Sequence, residues 1–356
     1  MNKNKKGFVL IFSLMLIFLC MFLVMYITNR GTTFVPYATI AIERKQAYIL
    51  AQSGVQLAIS QIIAPKVQQK KETKEDEKKK EPSEEEQVKD MLTVILPTLN
   101  RWQEIKLTEN IEGIDATIKF CIMCENGKFN LNSFYDFKSK KFINLIKDAD
   151  SKKAAQDIFK TVKTVMGGKE LFGSFEQQLK NRDIFFNDAT ELLTSAFEPF
   201  KNALFYEPPS GDKEGGKIKQ PVYLMDLFTV WTSNPQINPW LMSDSVSAVF
   251  NFKRAQPGDT QERKKVVAQW LKPFKLKAQW QKDWNSQLSS LYGKEYNSIP
   301  KSLQPFLSST FEANVFSILT YATVGRVTQR LLTIVERLPS KDDDPEDVVI
   351  KKVYWL

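Results

Sequence analysis

The first hydrophobic run of the chain has no polar face. From Phe8 to Ile27 twenty residues read FVLIFSLMLIFLCMFLVMYI, with Ser13 the only clearly polar member. At about 1.5 Å per residue such a helix is about 30 Å long, the thickness of a bilayer's hydrocarbon core. The apolar part of a signal peptide is shorter, roughly 7–15 residues, and no small-x-small cleavage site appears in the TNRGTTF that follows. The run therefore predicts a retained membrane helix. From Tyr37 to Ile63 the pattern becomes amphipathic. Tyr37, Ile40, Ala41, Tyr48, Ala51, Val55, Ala58, Ile59 and Ile62 recur at three- and four-residue spacing, with Glu43, Arg44, Lys45, Gln52, Gln56 and Gln61 on the other side. Residues 8–64 thus read as a membrane helix continuing into an amphipathic one, with Gly31 and Pro36 as places where the join loosens or kinks.

The next stretch, Pro65 to Gln87, is almost free of large apolar groups and rich in Lys and Glu. It cannot bury enough surface to offset its chain entropy, so residues 65–90 read as a charged linker or a solvated helix extension. Apolar and polar residues then alternate from Ile114 to Cys124, which predicts a half-buried strand ending at the turn Glu125-Asn126-Gly127-Lys128. The middle is helical in pattern, over Ala154–Met166, Leu171–Leu179, Asp188–Leu204, Val246–Phe252 and Glu262–Leu271, with a loop at Glu207–Gly216. Three β-rich runs close the chain, Asn314–Val324, Arg326–Arg337 and Val348–Leu356, with turns at Gly325 and at LPSKDDDPED. A sheet that begins before a helical region and ends after it implies an insertion. The expected fold is α+β: a long N-terminal helix packed on an antiparallel sheet (91–136 and 301–356), with a large inserted helical domain at 137–300.

Composition narrows the chemistry. The chain has no histidine, which removes any Ser-His-Asp triad, Cys-His pair or His-ligated metal. No catalytic residue and no cofactor is expected. The net charge of +9 is local: Lys3, Lys5 and Lys6 precede the apolar run, and nine basic residues face three acidic ones between Lys253 and Asp283. Because only Arg30 closely follows the span, the positive-inside rule puts the N-terminus in the cytoplasm and the rest across the membrane. Trp270 with Phe274, and Trp280 with Trp284, punctuate the basic stretch at i, i+4 spacing. That spacing marks a helix packing face more often than a nucleic-acid site, and an acidic partner surface is the preferred reading. Cys121 and Cys124 form a C-x-x-C without the second pair a zinc site needs. Three residues apart on a strand they point to opposite faces, so two free cysteines are preferred to a disulfide. Cys20 lies in the apolar run.

Several of these segments carry a resemblance. The short basic leader MNKNKKG, ending in Gly7 before the apolar run, resembles a type IV prepilin leader. That implies cleavage between Gly7 and Phe8 by a prepilin peptidase and N-methylation of the new terminus. A strand followed by NGKFNLN, the Ile237-Asn238 step in VYLMDLFTVWTSNPQINPW, and the closing strands NVFSILTYATVGRVTQRLLTIVER and VVIKKVYWL are similar to K-type minor pseudopilins of the type II secretion pathway. Most pilin-like subunits have a Glu five residues after the cleavage site. Here that position is Phe12, which suits a tip subunit with no neighbour's amino terminus to neutralise. The resemblance implies a minor pseudopilin of the bacterial inner membrane, single-pass with a periplasmic C-terminal domain, that forms or caps a pseudopilus tip by assembly. Its implied partners are other minor pseudopilins, inner-membrane secretion components and the peptidase, with no small-molecule substrate. Assembly contacts are expected at Phe12 and along the stripe Tyr48, Ala51, Val55 and Ile59. The family resemblance also allows calcium in the helical domain, but no ligand loop of fixed spacing supports it. Two other readings fit the residues: a minor pilin of a type IV pilus or DNA-uptake system, and an uncleaved membrane-anchored periplasmic binding module.

Overall fold

The computed structural model describes residues 4–63, 83–143, 150–193, 197, 200–207, 222–252, 260–276, 283–338 and 347–356, with positions 167 and 169 set aside. The linker from 64 to 82, the loop from 208 to 221 and the acidic turn from 339 to 346 lie outside these residues.

Helix α1 runs from Asn4 to Ile62, and the helical assignment continues through both Gly31 and Pro36. Its burial changes abruptly along its length. Ala47, Ala51, Val55, Ala58, Ile59 and Ile62 are buried, at the three- and four-residue spacing of one helix face. Between Leu10 and Ile42 the large apolar side chains are exposed instead, from Leu10 at 66% to Ile42 at 59%. The stripe expected to start at Tyr37 is therefore packed only from Ala47 onward; Tyr37, Ile40 and Ala41 face outward. The face is lined by small residues because the helix lies very close to the sheet. A Cβ on Gly54 would come within 2.6 Å of Thr320 Cγ2 and 2.9 Å of Ile118 Cγ2, so a larger residue there would have to push the two layers apart.

The sheet has five strands, β1 (Trp102–Leu107), β2 (Ala116–Cys124), β7 (Val315–Val324), β8 (Val327–Leu338) and β9 (Asp347–Trp355), in the order β1-β2-β7-β8-β9. All pairings are antiparallel. Directly paired residues share a face. Phe120, Thr320 and Leu331 lie toward α1, and Cys121, Leu319, Leu332 and Tyr354 lie on the opposite side. The expected alternation holds over Ala116–Lys119, where Thr117 and Lys119 are only half-buried, but from Phe120 onward both faces of β2 are covered: Cys121, Met123 and Cys124 are as buried as Phe120 and Ile122. Strand β1, a hairpin partner joined to β2 through the short helix α3 (Glu109–Glu112), carried no clear alternation in sequence.

Helix α2 (Glu84–Ile95) begins inside the range expected to be linker. Ser83 accepts from the Glu86 N–H while the Glu86 carboxylate accepts from the Ser83 N–H, a capping box. Met91, Leu92 and Ile95 supply its buried face.

Between β2 and β7 the chain forms short strands β3 (Phe129–Asn130), β4 (Tyr135–Asp136), β5 (Lys141–Phe142) and β6 (Phe228–Thr229). It also forms helices α4 (Ser151–Met166), α5 (Phe172–Lys180), α6 (Leu224–Leu227), α7 (Asp244–Val249), α8 (Thr260–Trp270) and α9 (Trp284–Tyr292). Within the helix expected over Asp188–Leu204, of which positions 194–196 and 198–199 lie outside the described residues, the described residues form no α-helix but a 3-10 turn at Ala189–Leu192. Asp188 caps it by accepting from the Thr190 N–H at 2.7 Å, and Leu193 leaves helical geometry at φ −71° and ψ 79°; local side-chain bonds of this kind compete with helix propagation. One continuous cluster of buried apolar side chains joins α1, the sheet and this region. The insertion therefore shares the sheet's core.

Candidate assembly surface and the hub behind it

The residues singled out in the sequence fall into four environments. Gly7 and Phe8 lie at the start of α1. Phe12 is 60% exposed on the bare apolar half of the helix. That half is the one described segment long and apolar enough to cross a membrane, with a mean hydropathy of 2.8 in its most apolar window and none of that window buried. Ala51, Val55 and Ile59 are held in the chain's own core; they fasten α1 to the sheet and are not on the surface. Tyr48 is different. It is 40% exposed, and its ring stacks on Trp355 of β9 with centroids 4.2 Å apart and planes 15° apart. The outward face of α1 thus offers the side chains from Leu10 to Ile42 together with Tyr48, Ile49 and Leu57.

Behind the sheet lies a polar hub that the sequence marked by the turn Glu125-Asn126-Gly127-Lys128 without showing its purpose. Lys128 is almost fully buried, and each ammonium donor has a partner: Glu125 Oε1 at 2.5 Å, Met225 O at 2.8 Å and Ser317 Oγ at 3.1 Å. A charge taken out of water needs this complete pairing. The Asn126 side chain accepts from the backbone N–H groups of Asn314 and Val315, where β7 begins. Its own carbonyl accepts from the Asn238 N–H at 2.7 Å. Asn130 donates to Thr232 O at 2.7 Å, and Asn132 donates to Phe186 O while accepting from the Phe186 N–H. Asn238 donates to Glu312 O at 2.7 Å and caps its own turn by accepting from the Trp240 N–H. The two internal segments noticed separately in sequence, NGKFNLN and the Ile237-Asn238 step, therefore meet and tie the insertion to the sheet. Nothing in linear spacing could have paired them.

Asp226 is the hub's third buried charge-bearing group. Its carboxylate accepts from the Ser245 N–H at 2.8 Å, and its carbonyl accepts from the Ser243 hydroxyl. Burial raises its pKa, with Lys128 opposing the shift. An acid raised on folding binds more protons in the folded state, so this group's contribution to stability falls as pH rises from its unfolded value through its raised folded one. Asp226→Asn keeps an acceptor for Ser245. Urea unfolding at pH 4 and pH 7 should show it gaining stability over the wild type at pH 7 and flattening the pH dependence; an unchanged pH profile would remove Asp226 as its source.

Two of the cysteines are shut away from solvent. Cys121 and Cys124 are buried, free and on opposite faces of β2, as their spacing predicted. Burial drives the Cys121 thiol well above its usual range and the Cys124 thiol up to about 12. Trp270, Phe274 and Trp284 are buried, with Phe274 edge-on to Trp240 at 5.1 Å, so these aromatics pack the insertion. Residues 253–259 and 277–282 of the basic stretch, including Trp280, are outside the described residues. So are Asp342 to Glu346.

The long helix on an antiparallel sheet, with further helices inserted between strands, is the α+β arrangement the sequence predicts. No protein-family model matches the chain, and no curated protein matches it. Among solved structures it is similar to the crystal structure of the GspK-GspI-GspJ complex from the type 2 secretion system of enterotoxigenic Escherichia coli. The identity is 12%, over 76% of this chain and 92% of that chain, with a TM-score of 0.36.

Proposed function

We propose that this chain is a minor pseudopilin, anchored in the bacterial inner membrane with its folded part in the periplasm, that forms or caps the tip of a type II secretion pseudopilus. One observation carries the reading: α1 passes without interruption from a bare, largely apolar half to a half packed on an antiparallel sheet. A simple anchor needs no such continuity, whereas a subunit that packs helix against helix with its neighbours does. The peptidase removes residues 1–7, and Phe8 becomes the methylated terminus. Phe12 keeps charge out of the apolar segment, where an unpaired carboxylate is costly. The chain then docks through the outward face of α1, including Tyr48, while Ala51, Val55 and Ile59 keep that helix aligned on its own sheet. The insertion lies across the sheet from α1 and gives the subunit the bulk to obstruct stacking above it. It acts by assembly rather than catalysis.

Intact and N-terminal mass spectrometry after co-expression with a prepilin peptidase tests this. The mature chain should begin at an N-methylated Phe8, and Gly7→Lys should retain the leader. A wild-type terminus at Met1 or Asn2 would sink the proposal and leave an anchored periplasmic module.

A further inference from the structure

Strand β9 is an edge of the five-stranded sheet, and among the described residues no strand pairs with its outer side. Open edges are usually guarded by lysines or by a bulge, because their unpaired backbone groups recruit other strands. Here the guard covers only half of the strand. Ile334 pairs with Lys352 and Val335 with Ile350, so Lys351 is the extra residue of a bulge, and Lys351 and Lys352 are the strand's only basic residues. Val353 to Leu356 carries no charged side chain and no bulge.

The register shows which backbone groups are free. The Leu356 N–H donates to Arg330 O at 3.1 Å, and the pairing continues as Trp355 with Leu331 and Val353 with Thr333. In an antiparallel ladder hydrogen-bonded and non-hydrogen-bonded pairs alternate. Val353 and Trp355 therefore turn both N–H and C=O outward. Their side chains remain 42% and 41% exposed on the α1 face of the sheet. The Tyr48–Trp355 stack makes this edge continuous with the outward face of α1. One helical turn before Tyr48, Arg44 and Lys45 are exposed, whereas Glu43 is turned to accept from the Arg326 N–H.

We propose that Val353–Leu356 receives an extended strand from a neighbouring pilin-like subunit as the sixth strand of this sheet. The incoming strand has apolar side chains toward Trp355 and a carboxylate near Lys45. This rests on the pseudopilin reading and adds a second contact, in the folded body, to the one along α1.

The full chain, co-expressed with the other minor pseudopilins of its host and extracted in detergent, provides the test. Light scattering should show a mixed complex, and amide exchange over residues 352–356 should slow roughly tenfold or more on assembly. Val353→Pro removes an N–H that β8 does not use, so it should weaken the complex roughly tenfold with an unchanged thermal midpoint. Val353→Lys, which keeps the backbone intact, should do the same. A wild-type complex that both variants form equally well, without slowed exchange, would overturn the edge contact and leave the pseudopilin reading standing. A protected edge in a dimer of this chain alone would overturn the partner assignment. Failure of the wild type to join those subunits at all would remove both.

Discussion

Lys128→Met is expected to destabilise the folded protein by about 3–5 kcal/mol, the usual cost of leaving one member of a buried ion pair without the other. Methionine fits the aliphatic path of the side chain but supplies none of its three donors. Glu125 Oε1, Met225 O and Ser317 Oγ all lose their partner at once. The side chains of Lys128 and Glu125 are only 1% and 3% exposed, so water cannot replace the lysine and salt cannot screen the loss. The deficit should be smaller at pH 5 than at pH 7. Burial already raises the Asp226 pKa and Lys128 opposes that shift, so without the lysine this carboxylate takes up a proton more readily and sheds its buried charge. Adding Glu125→Leu should recover much of the loss, because removing both charges together avoids an orphan. Equilibrium urea unfolding of the two single variants and the pair measures the coupling. A single-variant loss below about 1 kcal/mol would place the ion pair in solvent, contrary to this geometry.

Gly127→Ala should cost about 3 kcal/mol or more, through steric conflict rather than charge. An added Cβ would lie 1.8 Å from Leu241 O, 2.5 Å from Leu241 C and 2.9 Å from Met242 Cα. All three are backbone atoms, so no side chain can swing aside. Relief requires moving the turn that follows Asn238. That turn is held by Asn238 N–H to Asn126 O at 2.7 Å, Ser243 N–H to Gly127 O at 3.3 Å and Asn100 Nδ2 to Met242 O at 2.8 Å. The damage should therefore centre on the junction between insertion and sheet. Limited proteolysis should cut the insertion first, while circular dichroism retains the strand signal. A variant with the wild-type urea midpoint would mean that the turn and Gly127 are not in contact.

These two positions show how unevenly the molecule could be read. The alternation through Ile114–Cys124 and the closing runs located β2, β7, β8 and β9 to within two residues, because strands rich in apolar and β-branched residues leave a dense local pattern. Strand β1 leaves no such pattern, since WQEIKL mixes its polar residues too freely to alternate. The start of α2 was hidden in a charged tract, although Ser83 and Glu86 carried a capping signal. Neither the burial nor the pairing of Lys128 and Asp226 is written in their sequence neighbours.

What the sequence determined by itself is the consequence of local periodicity and composition. A membrane-length apolar run, its continuation as an amphipathic helix, the late strands, the opposite faces of Cys121 and Cys124 and the absence of histidine chemistry all follow from residues close together in the chain. Only the tertiary structure decided which face of α1 is covered, that Tyr48 meets Trp355, that NGKFNLN closes on the Ile237-Asn238 turn, and that half of β9 has no strand partner on its outer side among the described residues. Each depends on which distant segments share the core, and burial is set by those long-range neighbours rather than by the side chain's own character.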